Sequence, residues 1–313
     1  ARPNFPKLAP VHRAAPDVNL AVGSESHAVQ TARIMERIEP VIRDQRPDWV
    51  VVYGDVNSTM AAAIVASKLG IRVAHVEAGL RSFDRTMPEE INRIVTDRLA
   101  NLLLTPSRDA AAQLRAEGEP DEEIAFVGNV MIDSLFYALP AARATGFRAT
   151  LGLKGPPVVV TLHRPSNVDD PARIRALACV LDEIAREWDV VFPAHPRTRH
   201  RLEAAGLDLK RIRVLEPLGY LEMLDLVESA HAVITDSGGL QEETTVLGVP
   251  CLTIRPNTER PITISEGTNR LVPEPDGIIR AFRQVQKPPV ARRPEGWDGH
   301  AGERVIRELA RGR

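Results

Sequence analysis

The sequence has little of several residue classes, and each scarcity excludes a kind of protein. Aromatic residues make up 4% of the 313 residues, too few for the stacking platforms that bind single-stranded nucleic acid. The 40 basic and 42 acidic residues give a net charge of −2, so no basic excess indicates a nucleic-acid partner. No apolar run approaches the roughly 20 residues that cross a bilayer. Two cysteines, Cys179 and Cys251, form no disulfide framework and fit a reducing, cytoplasmic setting.

Short β-branched runs are present instead, and helical patterns lie between most of them. This alternation is typical of βαβ units and predicts an α/β fold with parallel sheets. Ten strands are many for one doubly wound sheet, so we expect two sheets, with the break in the glycine- and proline-rich segment 144–157. The predicted strands are Trp49–Tyr53, Arg72–Val76, Leu102–Thr105, Ile124–Val127, Val158–Leu162, Val190–Phe192, Ile212–Leu215, Ala232–Thr235, Pro250–Ile254 and Thr268–Val272.

One helix has a clear start signal and a clear apolar pattern. Pro88 and Glu89 suit the first turn of a helix. Apolar residues then follow the i, i+3, i+4 spacing of a buried helix face. We therefore predict that this helix packs on its sheet through Ile91, Ile94, Val95, Leu99 and Leu102.

Polar and ionisable residues follow most of the predicted strands. Ligands of open parallel sheets bind outside the carboxyl ends of the strands, and so these residues should collect at the ligand edge of each sheet. The simplest arrangement is a cleft lined from both sides by two doubly wound, Rossmann-like domains.

The segment Asp236–Glu243 has the features of a phosphate site. A strand ends, Gly238 and Gly239 permit a tight turn, and a helix begins, so that free N–H groups and the positive helix end face the ligand edge. An ordinary βα turn with an Asp or Ser N-cap is the alternative interpretation. Glu243 would repel a phosphate and is better suited to accept hydrogen bonds from ribose hydroxyls.

Three carboxylates in the first half of the chain are candidates for acid–base chemistry. Asp55 and Glu77 end adjacent strands, and Glu89 lies in the segment that leads into the next helix. Carboxylates that lie close together push their pKa values apart, which suits proton transfer. Each could instead be an N-cap or a salt-bridge partner of a nearby arginine, but the three together, facing a phosphate site, favour function.

Two histidines, His163 and His195, close buried strands at the ligand edge, where they are either structural or catalytic. No HxxxH or HxxE spacing indicates a metal site, and no GxGxxG follows a strand to indicate a nicotinamide cofactor. Ser237 lacks a G-x-S-x-G context, so it is not predicted to be a nucleophile.

Seven segments resemble, in order along the chain, the non-hydrolysing UDP-N-acetylglucosamine 2-epimerases of bacteria. The resemblance implies the glycosyltransferase-B type of fold. Its N-terminal Rossmann-like domain (1–150) carries the carboxylates, its C-terminal domain (151–290) binds UDP, and a C-terminal helix (291–313) crosses back. The matching segments are Gly54–Thr59, His75–Arg81, Pro88–Arg93, Val127–Val130, Leu162–Arg164, Thr235–Glu243 and Thr258–Ile262.

The same resemblance implies roles for individual residues. Asp55, Glu77, Glu89 and His163 match catalytic residues of the family. Arg33 and His195 resemble members of a second, regulatory substrate site. Contacts with UDP or its sugar are expected from Arg2, Lys7, Arg81, Arg164, Ser237, Gly238, Gly239 and Glu243.

The sequence departs from the family near its start. The family has a strand before the turn that contains Arg2. It also has several dozen residues, including a second strand and a Thr-Gly-Gln-His motif, where this sequence runs from Arg13 to Pro16. We expect the full chain to contain both segments.

The function implied by the resemblance is inversion at C2 between UDP-N-acetylglucosamine and UDP-N-acetylmannosamine. UDP would leave to give a 2-acetamidoglucal and then add back, with no metal or cofactor. A hydrolysing 2-epimerase that releases UDP and N-acetylmannosamine, a UDP-sugar glycosyltransferase and a non-catalytic sugar-nucleotide sensor remain alternatives. We expect a cytoplasmic homodimer in cell-envelope polysaccharide biosynthesis, with no nucleic-acid or membrane partner.

Overall fold

The chain divides into two compact units. The computed structural model describes residues 5–11, 18–206, 209–286 and 293–312. Unit 1 comprises Ala1–Ser134 and Pro294–Arg313, and unit 2 comprises Leu135–Arg293. The division falls inside a helix (Val130–Thr145), earlier in the chain than the boundary at residue 150 drawn from the sequence.

Unit 1 contains a parallel sheet of four strands in the order β1-β2-β3-β4. Tyr53 pairs with Val76, and Val76 pairs with Leu104, so the carboxyl ends of the first three strands lie level at one edge. The strands are β1 (Trp49–Tyr53), β2 (Arg72–Val76), β3 (Leu102–Thr105) and β4 (Ile124–Phe126). The helices before the division are α1 (Phe5–Leu8), α2 (His27–Gln45), α3 (Asn57–Lys68), α4 (Pro88–Leu99), α5 (Arg108–Ala116), the 3₁₀ turn Asp121–Glu123 and α6 (Val130–Thr145).

Unit 2 contains a parallel sheet of six strands in the order β10-β9-β8-β5-β6-β7. The strand order reverses next to β5, the kind of position where doubly wound sheets bind ligands. The strands are β5 (Val158–Thr161), β6 (Val190–Pro193), β7 (Ile212–Leu215), β8 (Ala232–Thr235), β9 (Cys251–Thr253) and β10 (Asn269–Leu271). The helices are α7 (Phe147–Thr150), α8 (Pro165–Val168), α9 (Pro171–Ile184), α10 (Pro196–Ala204), α11 (Tyr220–Glu228), α12 (Gly238–Leu247), α13 (Ile262–Ser265) and α14 (Pro275–Arg283).

The ten predicted strands and their division into two parallel sheets are confirmed. Val158, Val159 and Val160 of β5 are all fully buried, as expected for a strand covered on both faces. Cys179 is exposed and Cys251 is buried, and both thiols are free. Among the helices that the structure describes, none is long and apolar enough to cross a membrane.

The prediction for the buried face of α4 is wrong at Ile91, although Leu99 packs against the core and Leu102, in β3, is buried. Ile91 is 41% exposed, whereas Arg93, Thr96 and Asp97 of the same helix are buried. Arg93 and Asp97 form ion pairs with groups next to the sheet, and these pairs fix the rotation of the helix about its axis. The i, i+3, i+4 rule fails here because it assumes that an apolar side chain is always the better one to bury.

The C-terminal segment packs within unit 1. The Trp297 side chain is buried, and its indole N–H donates to the Pro106 carbonyl oxygen at 3.0 Å. Helix α15 (Ala301–Arg311) begins where the Asp133 carboxylate accepts from the backbone N–H groups of Ala301 and Gly302, at 3.1 and 2.7 Å. The carboxylate satisfies two N–H groups that a helix start leaves open, so α15 docks in one defined position.

A matched pair of isoleucine substitutions tests the rotation of α4. We expect Ile91→Ala to change the free energy of unfolding by less than about 0.5 kcal/mol, since Ile91 lies at the surface and is 41% exposed. Ile132→Ala in α6 removes the same atoms from a fully buried position and should destabilise by about 2–5 kcal/mol. Urea unfolding followed by circular dichroism measures both, and equal losses would contradict the exposed position of Ile91.

Candidate active site

The Asp236 carboxylate organises the ligand edge of unit 2. It follows β8 directly and is fully buried. It accepts from the backbone N–H groups of His163 and Arg164, at 3.1 and 3.0 Å, and from the Asn167 amide at 3.1 Å. Because β8 pairs with β5, one side chain at the end of β8 fixes the loop that leaves β5.

The same carboxylate orients the His163 ring. His163 Nδ1 lies 2.8 Å from Asp236 Oδ1, and 53% of the His163 side chain is exposed. Burial raises the pKa of Asp236, but the hydrogen bond and charge of His163 and the neighbouring donors outweigh it and hold that pKa below its ordinary value. An ionised Asp236 accepts a hydrogen bond from Nδ1–H of His163, which leaves Nε2 available to a ligand, as in the carboxylate–histidine pairs of active sites.

The first turn of α12 is built for a close ligand approach. Ser237 is the N-cap residue, but its side chain does not cap the helix. A Cβ on Gly238 would lie 2.7 Å from Arg260 Nη1 and 2.9 Å from Glu259 Oε1, so a larger residue there would displace these two side chains. Among the described residues, no heavy atom apart from the chain neighbours of Gly239 and its own helix backbone lies within 4 Å of the place that a Gly239 Cβ would take. This open helix start favours the anion-site interpretation over an ordinary capped turn.

Glu243 is buried in α12, one turn beyond the glycines. Burial raises the pKa of the Glu243 carboxyl to about 7, and the neighbouring Glu242 adds to the effect. The Tyr220 hydroxyl donates to Glu243 Oε1 at 3.1 Å. A buried carboxyl with a polar hydroxyl partner suits the predicted hydrogen bonding to ribose better than it suits a phosphate contact.

In unit 1, Asp55 and Glu77 follow the neighbouring strands β1 and β2. Asp55 Oδ2 lies 2.7 Å from Arg93 Nη2 and 3.1 Å from Arg93 Nε. Glu77 forms a buried ion pair with Lys7 of α1. A Cβ on Gly54 would lie 3.2 Å from Glu77 Oε2, so the loop that carries Asp55 reaches the Glu77 carboxylate. Asp55 is therefore held by Arg93, and Glu77 is held by Lys7.

The two glutamates at the start of α4 have different surroundings. Glu89, the residue singled out from the sequence, is half-buried, whereas Glu90 is 1% exposed. Glu90 accepts from the backbone N–H groups of Ser82 and Phe83, at 2.9 and 2.8 Å, and pairs with Arg93. Glu90 thus fixes the loop before α4 and shares Arg93 with Asp55, while Glu89 keeps access to solvent.

Arg81 is expected from the sequence to contact the nucleotide, but its guanidinium is buried among protein groups. It lies 2.7 Å from Asp97 and donates twice to Glu117, at 2.7 and 2.8 Å. It also donates to the Leu80 carbonyl oxygen at 2.8 Å. These contacts favour a structural role for Arg81. Arg164 donates through Nε to the Asp236 carbonyl oxygen at 3.0 Å.

The predicted regulatory residues lie in different units. Arg33 of α2 pairs with Glu25. His195 is the N-cap of α10, where its Nδ1 accepts from the Arg197 backbone N–H at 3.3 Å. Arg2 lies outside the described residues. In the part of the chain that the structure describes, no three His, Cys, Asp or Glu side chains are grouped so as to hold a metal ion.

Sequence reasoning missed Asp236, Glu90 and Arg93 as site residues. Asp236 was visible as the residue between a strand and two glycines, yet its partner His163 is 73 positions away and is brought near only by the β5–β8 pairing. Arg93 lies on a helix whose rotation the apolar pattern predicts wrongly. No local signal distinguishes Glu90 from Glu89.

Comparison with known proteins places the chain in a family. A family model described as UDP-N-acetylglucosamine 2-epimerase matches residues 9–310. The chain belongs to this family. The UDP-N-acetylglucosamine 2-epimerase of Methanocaldococcus jannaschii is 42% identical over 311 residues, which cover 95% of this chain and 85% of that protein. The UDP-2,3-diacetamido-2,3-dideoxy-D-glucuronate 2-epimerase of Pseudomonas aeruginosa is 44% identical over 261 residues, 82% of this chain and 72% of that protein.

A solved structure supports the fold of this family member. The crystal structure of the M. jannaschii UDP-GlcNAc 2-epimerase in complex with UDP-GlcNAc and UDP has a TM-score of 0.86 and 40% identity, and covers 96% of this chain and 85% of that chain. The predicted family and the glycosyltransferase-B-like α/β fold are thereby confirmed. Since the relatives are named as epimerases, the chain is an enzyme of the 2-epimerase family.

The buried Glu243 predicts a pH-dependent stability difference. The folded protein keeps the Glu243 proton up to about pH 7, whereas the unfolded chain releases it near 4.5. The stability that the neutral carboxyl contributes is therefore present below about pH 4.5 and is lost as the pH rises to about 7. Glutamine mimics the neutral carboxyl, so Glu243→Gln should exceed the wild type in free energy of unfolding by up to about 3 kcal/mol at pH 8.

At about pH 4.5 the two proteins should have nearly equal stability. Chemical denaturation at both pH values measures the difference. A stability gap that does not depend on pH would show that Glu243 is ionised in the folded enzyme throughout this range.

Proposed function

We propose that this enzyme interconverts UDP-N-acetylglucosamine and UDP-N-acetylmannosamine by eliminating UDP and adding it back. The observation that carries the proposal is the arrangement of Asp55 and Glu77 on the loops after adjacent strands, each paired with a cation. Such carboxylates can exchange a proton with the sugar while the paired cations limit their mutual repulsion.

The nucleotide part of the substrate is assigned to unit 2. The open N–H groups at the start of α12 supply positive potential for a diphosphate. Glu243 is the proposed acceptor for the ribose hydroxyls. The same positive groups stabilise UDP as it leaves, because its β-phosphate gains charge when the bond to C1 of the sugar breaks.

The chemical step needs a proton transfer at C2. As the C1–O bond breaks, C1 gains positive character and the neighbouring C2–H becomes more acidic. A carboxylate removes the C2 proton, and a C1=C2 double bond forms in the 2-acetamidoglucal. In the return step UDP bonds to C1 again and a carboxyl group delivers a proton to the opposite face of C2. Atoms and charges balance without a redox cofactor. Asp55, Glu77 and Glu89 are the proposed groups for the two faces.

A second sugar is a candidate substrate because of one specific observation. The P. aeruginosa relative, 44% identical over 261 residues, is named for a diacetamido-dideoxy-glucuronate rather than for N-acetylglucosamine. Both sugars carry a 2-acetamido group and both are UDP-linked, so the same inversion at C2 applies to either. The sugar is best decided by assaying both.

Incubation with each UDP-sugar in deuterated water, followed by proton NMR, tests the reaction. We expect deuterium at C2 of both epimers while UDP stays attached to most of the sugar. The reason is that the elimination exposes the C2 proton to exchange before UDP returns.

Other outcomes identify the alternatives. Stoichiometric free UDP and free N-acetylmannosamine would indicate a hydrolysing 2-epimerase. A donor that is unchanged without an added acceptor would favour a glycosyltransferase, and UDP-sugar binding with no turnover under any condition would favour a sensor.

Isosteric amides test the carboxylates. Asp55→Asn, Glu77→Gln and Glu89→Gln should each lower turnover by about 10²-fold or more, the usual scale for acid–base groups. UDP affinity measured by calorimetry should change little, because the proposed nucleotide contacts lie in unit 2. Asp44→Asn and Glu122→Gln change exposed acids of unit 1 in the same way and serve as controls. Turnover near that of the controls would return a carboxylate to a structural role.

A further inference from the structure

His75 is a fully buried histidine in β2, beneath the loops that carry Asp55 and Glu77. Its Nδ1 lies 2.6 Å from Asp97 Oδ1, and its Nε2 lies 2.9 Å from the Gly54 carbonyl oxygen. Carboxylate and carbonyl oxygens only accept hydrogen bonds. A neutral imidazole has one N–H and one lone pair, so it would leave a lone pair against one of these oxygens.

Asp97 is in no position to supply the missing proton. Its second oxygen lies 2.7 Å from Arg81 Nη1 and accepts from the Gly79 N–H at 3.2 Å. The Arg81 guanidinium and the Gly79 N–H both favour the ionised form of the carboxyl through their contacts with this oxygen, whatever the charge on His75. An ionised Asp97 leaves both ring protons to be carried by His75.

We propose that His75 is a buried imidazolium that positions the Gly54 peptide, and through it Asp55, for the acid–base chemistry. The proposal rests on the function proposed above for Asp55 and Glu77. The charged groups that face the ring are Asp97 from α4 and, behind it, Arg81 with its partner Glu117. His75 and Arg81 are the cations of this group, and Asp97 and Glu117 are its anions. The buried charges therefore compensate one another.

The His75 ring contacts the loop at Gly54, a residue whose left-handed backbone conformation suits glycine. Gly54 has φ of +61°, and its N–H donates to the Val76 carbonyl oxygen at 3.0 Å while its own carbonyl oxygen faces His75. Both ends of Gly54 are thus fixed, and Asp55 is the next residue. Glu77 follows His75 by two positions and itself has φ of +73°. His75 therefore acts as a positioning residue, because its two ring nitrogens contact the Asp97 carboxylate and the Gly54 backbone carbonyl.

Nitrogen-15 NMR of the labelled, substrate-free enzyme at about pH 8.5 tests the charge directly. A free imidazole is neutral at this pH, because its ordinary pKa is about 6.5. We expect the His75 ring to show protons on both nitrogens, with free histidine in the same buffer as the neutral reference. Asp97→Asn should convert the ring to a singly protonated form. A neutral ring in the wild type, or an unchanged ring in Asp97→Asn, would overturn the proposal.

His75→Gln tests the positioning role. A glutamine is neutral and cannot donate to two acceptors on opposite sides, so we expect turnover to fall by about 10-fold or more, while UDP affinity stays within about 2-fold. The exposed His200 of α10 provides the matched control, and His200→Gln should leave both values unchanged. Normal turnover in His75→Gln would remove the positioning role.

The two readouts separate the two proposals. Ring protonation is measured without substrate, and so it stands even if neither UDP-sugar is epimerised. If His75→Gln does not fold, the wild-type spectrum still decides whether the imidazolium exists.

Discussion

The burial of charge on helix α4 is the constraint on which the first half of the molecule depends. Arg93 and Asp97 are both buried, and an unpaired buried charge costs several kcal/mol. Each must therefore have a charged or polar partner, and these partners include His75 in β2 and, on the loops after β1 and β2, Asp55 and Arg81. The helix, the Asp55 loop, the Arg81 loop and the His75 ring are fixed together by this requirement. Because these ion pairs fix the rotation of α4, Ile91 lies on the outer side of the helix and is 41% exposed.

The use of buried ion pairs to hold these side chains has a chemical consequence. Hydrophobic contacts tolerate small displacements, whereas a hydrogen-bonded ion pair in a buried place has a narrow optimum of distance and angle. Acid–base catalysis needs carboxylates that are placed to a fraction of an ångström. Arg93 on Asp55 and Lys7 on Glu77 would supply that placement for the two proposed acid–base carboxylates, and the paired cations reduce the repulsion between them.

In unit 2, a buried carboxylate fixes the loops that are proposed to bind an anion. Here one buried carboxylate, Asp236, receives donors from the loop after β5 and orients His163, while the glycine turn that follows it opens the start of α12. A single negative charge thus holds in place the positive groups proposed to bind a diphosphate. Relatives more than 40% identical show that the chain belongs to the 2-epimerase family.

The sequence by itself determined the α/β class, the ten strands, their grouping into two parallel sheets and the family. Those features depend on local signals: β-branched runs, glycine turns and motifs that occupy a few consecutive residues. Only the tertiary structure decided that α4 buries its charged face, that Glu90 and not Glu89 is enclosed, and that Arg81 pairs with Asp97 and Glu117. The energy of a buried ion pair depends on a partner that is distant in the sequence, such as Arg93, which is 38 positions from Asp55, and no pattern within one helix contains that information.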